Sequence, residues 1–388
     1  MFNKSIFPFR FPEQALVGIG ALSLLANETK KYGEKVLIIT DPGLMKTGIV
    51  EKVKSLLEEN EICCDVYSDV KPEPPTSSIN ECASVAREGR YDVLIGLGGG
   101  SAIDVCKGVS VLSTNAGVIN DYFFPAVVPN RGLPIIAIPT TSGTGAEVTC
   151  NAVFVDEIKG TKMTVQSPYI MPAIALVDPE LTLTCPPQLT AATGLDALAH
   201  AIESYTAQKA QPLTEMYALE SIRYISKYLR SAVYNGGNIE SRYGMSLGSF
   251  MAGVTLANAG INAVHAMAHS LGGKHGVPHG VSNGLLLSYV MEYNMIADMD
   301  KFAKIAEAMG ENVHGLTTRD KALKGVEAVK KLCNDVKIPL KISDLGMNIR
   351  KEDLYELIPN IIANTRSMSN NPRTLSAKEV EEIFLNAY

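Results

Sequence analysis

Two hydrophobic rhythms divide this chain. Up to residue 186, short apolar runs rich in β-branched residues alternate with stretches of 3.6-residue period. Residues 35–40 predict a strand that stops at the turn Asp41-Pro42-Gly43. Residues 44–59 then read as an amphipathic helix, 62–67 as a weaker strand and 77–89 as another helix. Residues 92–97 are apolar throughout and lead into Gly98-Gly99-Gly100-Ser101, after which 102–113 return to helical periodicity. Residues 133–139 predict one more buried strand. Strands alternating with helices imply a parallel sheet covered by helices.

The rhythm changes between Asp178-Pro179 and Cys185-Pro186-Pro187. Beyond it β-branched runs are rare, and helical patterns occupy 189–207, 213–233, 240–258, 261–273, 283–294 and 300–309, with more helix from 319 onward. A chain of 388 residues exceeds what one core usually supports. The expected layout is an α/β domain over residues 1–186, Rossmann-like in its parallel sheet, followed by an all-helical domain over 187–388.

Composition narrows the partners. With 46% hydrophobic and 20% charged residues, a large core is expected. No apolar run reaches the roughly 18 residues that a membrane helix requires. The opening MFNKSIFPFRFPEQ lacks the apolar stretch and cleavage site of a secretory signal, so the cytoplasm is the expected compartment. The seven cysteines are odd in number, form no CxxC and include one vicinal pair, which argues against a disulfide framework. A net charge of −6 with mixed signs offers no basic stripe for nucleic acid.

Four of the six histidines, His265, His269, His275 and His279, crowd into one short segment, and His200 lies one helical turn after Asp196. Residues four apart share a helix face, so Asp196 with His200, and His265 with His269, can each aim two ligand atoms at one point. Gly272, Gly273 and Gly276 predict a turn that returns the chain and brings His279 to the same place. One carboxylate with three or four imidazoles, and no cysteine, suits a divalent cation in a site with an open position. Spacing alone does not choose between His265 and His269.

A second chemistry sits in the first domain. Gly98, Gly99, Gly100 and Ser101 join a strand to a helix, where backbone amides and the helix dipole attract an anion. Thr140, Thr141 and Thr144, in the loop after the strand at 133–139, supply hydroxyls beside it. Two such loops at strand carboxyl ends fit a dinucleotide. Asp41 ends another strand, and its carboxylate would accept from a ribose hydroxyl and repel a 2′-phosphate, which favours NAD over NADP.

Together these motifs resemble the iron-containing (group III) alcohol dehydrogenases, over nearly the whole length and close to the lactaldehyde reductase and 1,3-propanediol dehydrogenase type. The resemblance is carried by Gly98–Lys107, Pro139–Thr149, Ala191–His200 and His265–His279. It implies a dehydroquinate synthase-like architecture, NAD as cofactor and Asp196, His200, His265 and His279 as ligands to Fe(II), with Zn(II) compatible with the same donors. By the same resemblance His269 becomes a proton-relay residue beside the nicotinamide, and His275 matches no ligand. Asn151 and Lys162 join Asp41, Gly98, Gly99, Gly100, Ser101, Thr140, Thr141 and Thr144 as cofactor contacts. Glu73 departs from the pattern, since many relatives have asparagine near the adenosine. The implied reaction interconverts a small primary alcohol or diol with its aldehyde by hydride transfer, in a homodimer. Alternative readings are a glycerol dehydrogenase-like zinc enzyme and a dehydroquinate synthase-like lyase. The lyase would need several Lys and Arg around its substrate, and only Lys274 lies near the histidine segment.

Overall fold

The computed structural model describes residues 6–388; the first five residues of the opening segment read above for a signal lie outside them. The described residues form two compact units.

One unit comprises Phe11–Pro186 together with Gly236–Ser246. Its centre is a six-stranded parallel sheet in the order β1-β8-β5-β4-β2-β3. The strands are β1 (Gln14–Val17), β2 (Lys35–Ile39), β3 (Cys63–Tyr67), β4 (Val93–Gly98), β5 (Ile135–Pro139) and β8 (Ile174–Val177). Between β5 and β8 the chain forms an antiparallel hairpin of β6 (Asn151–Asp156) and β7 (Thr161–Gln166). Helices α1 (Leu25–Thr29), α2 (Ile49–Glu58), α3 (Thr76–Gly89) and α4 (Gly100–Thr114) complete this unit's main elements. The central strands β4 and β5 are buried along their whole length because both faces are covered, which is why they read as unbroken apolar runs. Leu37, Leu94 and Ala137 enter the core on one face, and Val36, Ile95 and Ile136 enter the core on the other. From β2 the chain steps outward to β3, then crosses back to β4 and continues to β5. The order therefore reverses between β2 and β4, and the loops that follow these strands flank the switch point where such sheets bind ligands.

Residues 236–246 have a physical reason to join this unit. Arg242 donates to the Cys185 carbonyl at 3.0 Å, and the Ser246 hydroxyl lies 3.2 Å from that of Ser142.

The other unit holds residues 6–10, Pro187–Asn235 and Leu247–Tyr388. Its helices are α5 (Pro187–Thr206), α6 (Pro212–Tyr234), α7 (Ile239–Ala259, whose start belongs to the sheet unit), α8 (Ala263–His275) and α9 (His279–Asn294). They are followed by α10 (Met299–Ala308), α11 (Thr318–Asp335), α12 (Lys351–Tyr355), α13 (Ile358–Ala363), α14 (Thr365–Met368) and α15 (Ala377–Ala387). Among the described residues no single helix is long and apolar enough to cross a membrane.

One expectation needs correcting. Gly272 and Gly273 make no turn: α8 runs through both to His275, and the reversal rests on Gly276 alone, whose φ of 71° is left-handed. Two adjacent glycines inside a helix cost some stability without ending it. Pro278 then opens α9, so that His279 is its first residue.

Candidate active site

In the helical unit α5 carries Asp196, His200 and Glu203 on one face, one turn apart. The α8 helix carries His265 in its first turn, and α9 carries His279 with Asn283 one turn later. Small residues let α9 approach α5 closely. A Cβ at Gly280 would overlap the Ala192 carbonyl oxygen, and one at Gly284 would come within 2.8 Å of Leu195 Cδ1.

This approach brings Asp196, His265 and His279 together, each offering one ligand-type atom, all within 4.8 Å of one another. The Asp196 Oδ1 atom is 3.6 Å from His265 Nε2 and 3.5 Å from His279 Nε2. His200 stands beside this trio, with Nε2 3.9 Å from the same oxygen and its ring stacked on His265 at 4.5 Å. His269 lies further along α8, stacked on His279 at 5.0 Å and edge-on to His265 at 5.9 Å. The structure thus separates the two histidines that spacing left equivalent. Asp196, His200 and His265 are buried, while the His279 side chain keeps 28% of its surface exposed, so the cluster opens on that side.

Burial opposes ionisation of Asp196, but the imidazoles of His200, His279 and His265 outweigh it and hold the carboxyl well below the usual carboxylate range. Burial likewise disfavours charge on His265, yet Glu203 and Asp196 push its pKa up to about 9.

Glu203 is the residue that sequence reasoning passed over. Its Oε1 accepts from the backbone N–H of Val264 at 2.7 Å and of His265 at 3.4 Å, capping α8 from a neighbouring helix. Its Oε2 accepts from His265 Nδ1. In the neutral ring this hydrogen bond keeps the proton on Nδ1 and leaves Nε2 as the atom that presents a lone pair to the cluster. A signal for it existed: a carboxylate three residues after His200, inside an otherwise apolar helical run.

The donor set fits a cation. Asp196 Oδ1, His265 Nε2 and His279 Nε2 all converge on one nitrogen, Asn283 Nδ2, at 2.7, 3.1 and 3.1 Å. With both rings neutral and their Nε2 lone pairs free, these are three acceptors, and an amide NH₂ has hydrogens for two. A divalent ion would satisfy all of them at once.

The sheet unit gathers most of the expected nucleotide residues at the strand ends. Gly98 has φ 149°, a conformation that side chains rarely adopt, and it closes β4 beside Asp41. A Cβ on Gly100 would strike Thr144 Cγ2 at 2.7 Å, and one on Gly99 would touch Thr141 Oγ1 at 3.5 Å. The two polar loops therefore pack against each other, and Thr140 N–H donates to the Gly98 carbonyl at 2.9 Å. Ser101 lies in the first turn of α4, at the end of a helix that attracts anions. Asp41 uses Oδ1 for its own turn, accepting from Gly43 and Leu44 N–H at 2.9 and 3.0 Å.

Lys107, fully buried in α4, pins the second loop by donating to the Ala146 carbonyl, the Thr149 hydroxyl and the Asn151 carbonyl at 2.6, 2.9 and 2.8 Å. Asn151 opens β6, and its Oδ1 is buried with no hydrogen-bond partner among the described residues. Lys162, on β7, pairs with Glu73 at 2.6 Å. Glu73, the departure from the family pattern, thus sits on a lysine expected to contact cofactor.

Comparison with known proteins adds the following. The family model described as iron-containing alcohol dehydrogenase matches residues 12–179, and its C-terminal counterpart matches residues 190–388. A long-chain-alcohol dehydrogenase of Geobacillus thermodenitrificans is 39% identical over 382 residues, covering 97% of this chain and 96% of its own. An NAD-dependent methanol dehydrogenase of Bacillus methanolicus is 36% identical, covering 98% of this chain and 99% of its own. A solved structure of a 1,3-propanediol oxidoreductase superposes with a TM-score of 0.96 at 36% identity, over 99% of this chain and 100% of that one.

Proposed function

Since the chain belongs to the iron-containing alcohol dehydrogenase family, we propose that it interconverts a small primary alcohol or diol with its aldehyde, using Asp196, His200, His265 and His279 to hold the cation. It is an NAD-linked alcohol dehydrogenase of that family. The observation that carries the ligand assignment is the convergence of Asp196, His265 and His279 within 4.8 Å, with His200 at 3.9 Å from the shared oxygen.

When bound, the divalent cation polarises the substrate oxygen and NAD carries the hydride. Asp196 supplies the single negative charge of the ligand set. Glu203 orients His265 and brings a second buried carboxylate, so the two anions together balance a dication. His269, which stacks on His279, would pass a proton between the substrate hydroxyl and solvent. Gly98, Gly99, Gly100, Ser101, Thr140, Thr141 and Thr144 would hold the pyrophosphate, with Asp41 on the ribose and Asn151 and Lys162 as further contacts.

Relatives named for long-chain alcohols and for methanol stand at nearly the same identity, 39% and 36%. A homodimer and a cytoplasmic location complete the reading. The seven free cysteines favour a reducing compartment. Protein reconstituted anaerobically with Fe(II) should reduce NAD with short alcohols, and His265→Ala and His279→Ala should lose that activity. Full activity in either variant would refute the ligand assignment.

A further inference from the structure

Asn283 is oriented in a way that its hydrogen bonding alone does not explain. It is fully buried on α9, one turn after His279. Its Nδ2 faces three ligand atoms, Asp196 Oδ1, His265 Nε2 and His279 Nε2, which are all acceptors when both rings are neutral and present a lone pair there, and it has hydrogens for two. Its Oδ1 is buried and has no hydrogen-bond partner among the described residues. The donor end is oversubscribed and the acceptor end is stranded, and a stranded buried acceptor keeps its full desolvation cost.

The two ends of a carboxamide are nearly equal in size, so a half-turn about the Cβ–Cγ bond exchanges them without repacking the core. Charge decides which end faces the cluster. Converging lone pairs attract the NH₂, whereas a cation among them repels N–H and attracts a carbonyl oxygen. We infer that Asn283 is a two-position positioning residue: NH₂ inward gathers the three ligand atoms before the metal arrives, and Oδ1 inward faces the metal once it is bound. This rests on reading the cluster as a metal site. It adds a fifth side chain, and a neutral oxygen, to a set otherwise made of one carboxylate and imidazoles. No covalent bond is made or broken in the turn.

The test uses full-length protein stripped of metal and titrated anaerobically with Co(II) against a competing chelator. Visible absorption then reports the coordination of the ion. The wild type should bind one Co(II) per chain. Asn283→Leu removes both ends at similar volume and should raise the Co(II) dissociation constant by about 10-fold or more, the scale set by groups that orient metal ligands. Its visible bands should change in intensity, because an oxygen facing the ion is gone. Asn283→Asp keeps an oxygen and discards the donor, and it should bind Co(II) at least as tightly as the wild type.

An Asn283→Leu protein with wild-type affinity and superimposable bands would overturn the inference and leave the metal site standing. So would Asn283→Asp binding 10-fold more weakly despite its added charge, which also serves should the leucine variant fail to fold. A wild type that takes up no stoichiometric Co(II) would instead remove the metal reading itself, and this inference with it.

Discussion

At the scale of single residues, one carboxylate does two jobs. Glu203 Oε1 caps the first turn of α8 while Oε2 accepts a hydrogen bond from His265 Nδ1. The first task needs only an acceptor oxygen, which glutamine also has. The second needs an acceptor at the ring nitrogen, where a glutamine amide would donate instead and drive the proton to Nε2. Glu203→Gln should therefore fold with a small change in thermal midpoint but bind metal about 10–100-fold more weakly, the range for groups that orient metal-bound imidazoles. Equilibrium titration with Zn(II) or Co(II) checks it, and unchanged affinity would make Glu203 a helix cap and nothing more. Asp41 divides its oxygens in a similar way: Oδ1 closes its turn, and Oδ2 is the atom on the side of Gly98.

At the scale of elements, the cluster exists because two helices touch almost backbone to backbone. Gly280 and Gly284 lie one turn apart on α9, between His279 and the rest of the helix, and both abut α5. Gly280→Ala would push a methyl into the Ala192 carbonyl, which belongs to the α5 backbone and cannot rotate away. Moving α9 outward relieves the overlap, and it also draws His279 and Asn283 from Asp196. The variant should lose roughly 1–3 kcal/mol of stability, as overpacked sites do, and should bind metal more weakly than the wild type. Denaturant unfolding and metal titration measure the two effects, and a stable variant with normal metal affinity would show that the contact yields cheaply. The predicted helices of this unit agree with the observed ones to within a few residues, because each buries a wide apolar face at 3.6-residue period. The four-residue strands β1 and β8 were not among the predicted strands, and neither was the hairpin β6–β7. Its residues in β6 alternate between partly exposed and buried positions instead of forming the solid apolar runs of the parallel sheet.

At the scale of the whole molecule, the two candidate sites belong to different units: the glycine and threonine loops to the sheet unit, the imidazole cluster to the helical one. A ligand that binds only the folded state stabilises by about 2.7 kcal/mol at a hundred times its dissociation constant. Metal and NAD should each raise the thermal midpoint of the wild type, and chelation should lower it. His265→Ala should lose the response to metal and retain the response to NAD, as read by thermal unfolding with each ligand alone. Loss of both responses would show that the variant disturbs more than the helical unit.

The sequence by itself determined the α/β-then-helical order, the glycine and threonine loops at strand ends and the faces of α5, α8 and α9 that carry ligand-type residues. These follow from local rules: the period of the apolar positions, the conformations open to glycine, and the one-turn spacing of side chains. It did not determine which of His265 and His269 enters the cluster, that α8 continues through Gly272 and Gly273, or that Glu203 and Asn283 bear on the same histidines. Periodicity assigns a residue to a face of its helix but says nothing of which turn of one helix meets which turn of another. That choice was made by the packing of α9 onto α5 at two glycines, and by a carboxylate of α5 reaching the first turn of α8.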